Sequence, residues 1–114
     1  MINGIKPLPL KSDFDEAVDN LLNNIVKKYN EWMPDSYIEY KHILVNGRKF
    51  IKVIEDNSVW GFIAKKDGEH KGLLMKAGDV FKPASWAAAA KYTRGNIFDT
   101  NTDWFAWTGP NYMR

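Results

Sequence analysis

The sequence predicts an α+β domain: an N-terminal amphipathic helix packed on an antiparallel sheet of three to five strands, then a short second helix. Three observations carry this. Apolar residues recur with helical spacing between Phe14 and Tyr29. From Tyr37 the period changes to two, with Asn46-Gly47 breaking the run. Later, Pro83 and Gly95-Asn96 bracket an alanine-rich stretch. At 114 residues, the chain has the size of one domain with a single core, spanning 1–114.

Pro7 and Pro9 exclude regular helix from residues 1–11, an expected extended leader. Ser12 reads as an N-cap, with Asp13, Asp15 and Glu16 where the helix dipole favours acids. Phe14, Val18, Leu21, Leu22, Ile25, Val26 and Tyr29 form one stripe, so a helix is expected over 12–33, ended by Pro34. Lys27 and Lys28 then fall near its C-terminus, where the dipole suits cations.

The sheet is expected within 37–82. A two-residue turn at Asn46-Gly47 would set Val45 opposite Arg48, Ile43 opposite Phe50 and Lys41 opposite Lys52. Ile38, Tyr40, Leu44, Ile51 and Val53 then share a core face under the helix. Lys41, Arg48 and Lys52 share the other face with Ile43, Phe50 and Ile54. Two lysines directly opposed are unfavourable, so an acid, water or a bound anion would have to relieve them. Asp56-Asn57 marks the next turn, and Val59 to Ala64 the third strand, with Trp60 and Phe62 on one side. Asp67-Gly68 reads as the tip of a polar turn over 65–70. A fourth strand lies within 72–81, interrupted near Ala77-Gly78-Asp79. The second helix is expected within 83–95: Pro83 suits its first turn, Ser85 to Ala90 propagate it and Gly95-Asn96 close it. On that reading Trp86 is a buried anchor, and Trp86→Ala costs about 3–5 kcal/mol. Asp99 to Asp103 form a loop with Asx-turn chemistry, and Trp104 to Trp107 a short edge strand before Gly109-Pro110.

Composition excludes several functions. With no cysteine there is no disulfide, zinc–thiolate site or thiol nucleophile. No apolar run approaches the roughly eighteen residues of a membrane span, and the first residues do not read as a signal peptide, so a soluble intracellular protein with no membrane partner is expected. Phosphate-binding loops, dinucleotide fingerprints and metalloprotease or nucleophile-elbow motifs are absent. His42 and His70 sit on different elements without a companion ligand at metal spacing, and a lone histidine on a strand reads as a satisfied structural residue. Asp99-x-Asn101-x-Asp103 opens like a calcium loop but has Trp104 and Pro110 where glycine and glutamate are needed. Neither an enzyme nor a cofactor is expected.

Charge is unevenly spread. Residues 37–98 hold eleven Lys or Arg against six acids, a net +5, within a chain of net +2. That is either a solvated basic surface or a site for an anionic partner. The nucleic-acid candidates are Lys41, Arg48, Phe50 and Lys52 on the hairpin, with Lys82, Lys91 and Arg94 around the second helix. Cations there would neutralise phosphates while rings stack on unpaired bases, which suits single-stranded DNA or RNA. The alternative is a protein partner that docks on Trp104, Phe105, Trp107 and Tyr112, an aromatic, charge-poor segment.

The stretch Gly78-Asp79-Val80-Phe81-Lys82-Pro83-Ala84-Ser85-Trp86, continued by Ala90-Lys91 and Arg94-Gly95-Asn96-Ile97-Phe98-Asp99, resembles small bacteriophage-encoded proteins of unassigned function. They share a GD-x-x-K-x-A-S-W-x-x-P-A-K-x-x-R-G-N pattern near their C-termini. The chain departs from it at Ala89, where the family often has proline. The resemblance covers about a fifth of the chain. It implies a phage protein acting in the cytoplasm of the infected bacterium, a host or phage molecule as partner, and no known activity or cofactor.

Overall fold

Ser12 starts the first helix as its side chain predicts: Ser12 Oγ accepts the Asp15 backbone N–H at 3.1 Å. The computed structural model describes residues 12–35 and 41–111. The expected leader at 1–11, the strand start at 37–40 and Tyr112 lie outside these residues. Helix α1 spans Asp13–Trp32 and buries Ala17, Val18, Leu21 and Ile25, the centre of the predicted stripe. Its last turn holds no cation, because the helix runs on past Lys27 and Lys28.

Five strands, β1 (His42–Asn46), β2 (Phe50–Glu55), β3 (Ser58–Ala64), β6 (Asp79–Pro83) and β7 (Ala89–Asn96), form one antiparallel sheet in that order. Between β3 and β6 comes a small hairpin, β4 (Gly68–His70) with β5 (Leu73–Met75). Another, β8 (Phe105–Ala106) with β9 (Gly109–Pro110), follows β7. The sheet packs on both faces. On the inner face Val53, Trp60, Ile63 and Val80 meet α1, Ile97 and Phe105. On the outer face Phe62, Ala64, Met75, Phe81 and Ala89 form a second cluster, with Phe50 and Val59 against it.

The α+β class stands, with four corrections inside it. First, β1 and β2 pair Asn46 with Ile51, Val45 with Lys52 and Leu44 with Val53. The loop is longer than a two-residue turn, and the Gly47 N–H donates to Phe50 O at 2.9 Å. The shift is even, so Leu44, Ile51 and Val53 keep their common face while Lys41 and Lys52 are no longer opposed. Phe50 accounts for it: its ring packs 5.9 Å from Phe62 and 5.7 Å from Phe81, and that burial outweighs the turn preference of Asn-Gly.

Second, Trp60 and Phe62 face opposite ways. Val53 pairs with Gly61 and Ile54 with Val59, which leaves Trp60 as the extra residue of a β-bulge turned into the inner core. Third, the polar turn over 65–70 does not have its tip at Asp67-Gly68. The hairpin turns at Lys71-Gly72, both with positive φ (51° and 83°), the backbone of a type I′ turn.

Fourth, the second helix does not form. Residues 84–88 make a tight loop closed by the Ala84 N–H donating to Ala88 O at 2.8 Å, and 89–96 are strand β7. Alanine propensity is a weak prior beside sheet pairing, and the following Lys-Tyr-Thr suits a strand. Buried Ala89 lies opposite Pro83 at a break in the register, where a missing N–H is tolerated.

The GD…GN residues fasten this hairpin. Gly78 has φ 88°; the Asp79 carboxylate accepts from the Lys76 N–H at 2.9 Å and from Asn96 Nδ2 at 3.0 Å. Gly95 is the tightest point. A Cβ there would lie 2.7 Å from Cγ and Cε3 of Trp104 and closer still to Cδ2. Gly95→Ala is therefore expected to destabilise by about 1–3 kcal/mol through overpacking. Combined with Trp104→Leu the loss should be less than the sum of the two single losses, as urea titrations of the three variants would show.

Candidate functional site

The seven nucleic-acid candidates fall into three groups. Phe50 and Lys52 lie on the outer face of the sheet, with exposed Arg48 in the loop between β1 and β2 and exposed Lys41 just before β1. Lys82 and Arg94 face residues 110–111. Lys91 is exposed on β7 beside a cavity of about 130 Å³ lined by His70, Leu74 and Tyr92.

The outer face is built from crossed rings. Phe50, Phe62, Phe81 and His70 meet edge to face, with His70 5.2 Å from Phe50 and 5.0 Å from Phe81. His70 Nε2 lies 2.8 Å from Ala90 O, so that nitrogen carries the proton, and the buried imidazole is a structural donor. His42 Nε2 lies 3.3 Å from the Glu55 carboxylate of the facing strand. Lys52 emerges from this cluster opposite Val45 and Phe62. Its ammonium sits 4.6 Å from the Trp86 ring centroid and 6.0 Å from that of Phe62.

Trp86 is not the buried anchor expected of it. It stands in the 84–88 loop with 55% of its surface exposed. The sequence signal was available in Lys82-Pro83-Ala84-Ser85-Trp86, a strand end running into a turn, but the alanines that follow concealed it. Lys52 and Trp86 together offer a cation and an open ring face on one surface.

The cations of the second group are already engaged. Lys82 Nζ donates to Pro110 O at 2.6 Å, and Arg94 Nη1 reaches Asn111 O at 3.5 Å. Lys28, from α1, donates to the carbonyls of Thr102 and of Phe105 (2.6 Å to the latter) and sits 4.1 Å over the Phe105 ring. Burial pushes Lys28 below the ordinary lysine value, against the opposing pull of Asp103 and Glu31. Lys82 is lowered by burial and then by Arg94.

The aromatic C-terminal segment is turned inward. Phe105 is buried 6.0 Å from Trp60, whose indole N–H donates to Ala106 O at 3.1 Å. Trp104 lies half-buried over Gly95, and Trp107 packs 5.1 Å from Tyr29 and 5.0 Å from Trp32. The segment joins helix to sheet. Asp99 and Asn101 cap the loop before it, accepting the N–H groups of Asn101 and Asp103 as Asx turns do. Between this loop and α1 lies a cavity of about 500 Å³ with Asp13, Glu16, Asn20, Asp99 and Thr102 in its walls. Its acids would repel phosphate, which leaves the outer face as the side suited to an anion.

Residues 10–113 match a family of unknown function, DUF7717, and the chain belongs to that family. No curated protein and no solved structure matches it. Among the described residues, no helix is long and apolar enough to cross a membrane.

Lys28→Met should leave the Thr102 and Phe105 carbonyls without their donor and cost about 1–3 kcal/mol in urea unfolding. The lowered pKa has its own sign. In the window below the ordinary lysine value the unfolded chain binds more protons than the folded one, so the contribution of Lys28 and Lys82 to stability rises with pH. In an NMR titration of lysine ε-methylene groups, these two should titrate below the ordinary lysine value.

Proposed function

We propose that this protein is a small phage accessory protein that binds single-stranded nucleic acid on the outer face of its sheet, in the cytoplasm of the infected bacterium, without catalysing a reaction. The observation that carries the reading is the pairing of exposed Trp86 with the Lys52 ammonium, 4.6 Å from its ring. An indole face takes an unpaired base whatever its identity, and an adjacent ammonium takes the phosphate. Lys41 and Arg48 continue positive charge along the same hairpin. A sheet face with a ring and point charges has no element shaped to read base edges in a groove, so little sequence preference is expected.

Two of the other site candidates have structural duties. Lys82 and Arg94 hold the C-terminal segment, and Lys91 lies apart on β7. A protein partner docking on Trp104, Phe105 and Trp107 finds little support, since those rings are spent on Gly95, Trp60, Tyr29 and Trp32.

Trp86→Ala should weaken binding to a fluorescent oligonucleotide by about 1–3 kcal/mol. It should change unfolding free energy by no more than about 0.5 kcal/mol, as surface substitutions do. Lys52→Ala should flatten the dependence of log affinity on log salt by about one unit. Lys82→Ala should instead lower stability and leave that slope unchanged. No binding at low salt, or equal affinities for parent and Trp86→Ala, would refute the proposal.

A further inference from the structure

The two edges of the main sheet are built differently. At one, β7 pairs with β6 through two register irregularities and carries Lys91 and Arg94, features that discourage another strand from adding. At the other, β1 keeps unbroken register with β2 over five residue pairs. Its apolar side chains are open on both faces: Ile43 at 61% and Val45 at 44% outward, Leu44 at 41% toward the α1 side. A strand exposed on both faces at a sheet edge has apolar surface that the described residues leave uncovered.

We infer that a second copy of this chain adds to β1, antiparallel about Leu44, and joins two five-stranded sheets into one. The strand is complementary to itself. Pairing about Leu44 sets Ile43 against Val45 of the other copy and His42 against Asn46, so apolar residues meet apolar ones and no two like charges are opposed. Lys41 falls opposite Gly47 rather than another cation. The two-fold axis of such a pair is perpendicular to the sheet, so both α1 helices lie on one side and both outer faces on the other. Two Lys52–Trp86 stations would then share one surface. That last consequence rests on the nucleic-acid reading; the pairing does not.

The contact is a single short strand, so the dimer should dissociate on dilution. Sedimentation equilibrium of the full chain without nucleic acid should give a mass rising with concentration from 13.1 kDa toward twice that value. Leu44→Lys opposes two ammonium groups across the axis and should hold the protein monomeric, while circular dichroism confirms its fold. If that variant fails to fold, Leu44→Cys decides. The chain has no other cysteine, and a residue facing its own symmetry mate lies close to disulfide range. Leu44→Cys should cross-link in oxidised glutathione, whereas Leu74→Cys, on β5 and 90% exposed, should not. The inference is overturned by a parent that stays monomeric at every concentration, by a folded Leu44→Lys that dimerises like the parent, or by equal cross-linking of the two cysteine variants. A monomer that still binds oligonucleotide would remove the dimer and leave the binding face standing.

Discussion

The carbonyl groups of the C-terminal segment tie the two layers of this protein together. Lys28 reaches them from the helix, while Lys82 and Arg94 reach them from the sheet and Trp60 from inside the core. The short β8–β9 hairpin and the loop before it satisfy only part of their own backbone, and the alternative partner, water, is excluded where Phe105 is buried. Donors from both layers converge on it instead. Placing Phe105 between Trp60 and Lys28 requires the chain before it to pass close over β7, and Gly95 permits that approach by having no side chain. The bulge at Trp60, the bond between Asp79 and Asn96, and the turn at Gly78 serve the same closure.

This arrangement decides which residues are left for a partner. Two basic side chains that the sequence offers for phosphate, Lys82 and Arg94, donate to main-chain carbonyls, as Lys28 does from the helix. Three aromatic ones that look like an interface, Trp104, Phe105 and Trp107, fill the joint. Acids line the cavity between α1 and the loop before β8, while Lys52 stands on the opposite face of the sheet. The outer face keeps a hydrophobic floor of Phe50, Phe62 and Phe81, with Lys52 and Trp86 standing above it.

Local signals in the sequence succeeded where local energetics decide. Ser12 and the Phe14–Tyr29 stripe mark α1 to within a residue at each end, and the Asx loop at 99–103 forms as its side chains predict. Alternation also assigned Leu44, Ile51 and Val53 to a common face. What could not be read were features set by distant packing. The β1–β2 register follows Phe50, whose partners Phe62 and Phe81 are remote in sequence. The four alanines before Lys91 suggested a helix because propensity counts only neighbours, whereas β6 supplies the pairing that makes β7 a strand. Trp86 followed from that error: on a helix face it belonged to a core, and in a loop it stands in solvent. Hydrophobicity alone did not distinguish it from Trp60.

The central claim is that ligand contact and internal support are divided between two sides of one sheet. The five indole N–H groups report on that division, because Trp86 lies on the outer face, Trp60, Trp104 and Trp107 belong to the joint, and Trp32 ends the helix. In a ¹H–¹⁵N correlation spectrum recorded while a short single-stranded oligonucleotide is added, the Trp86 indole and the amides around Lys52 should shift in proportion to bound ligand. The signals of Trp60, Trp104 and Trp107 should stay in place. Shifts that begin at the C-terminal tryptophans while Trp86 remains still would contradict the account.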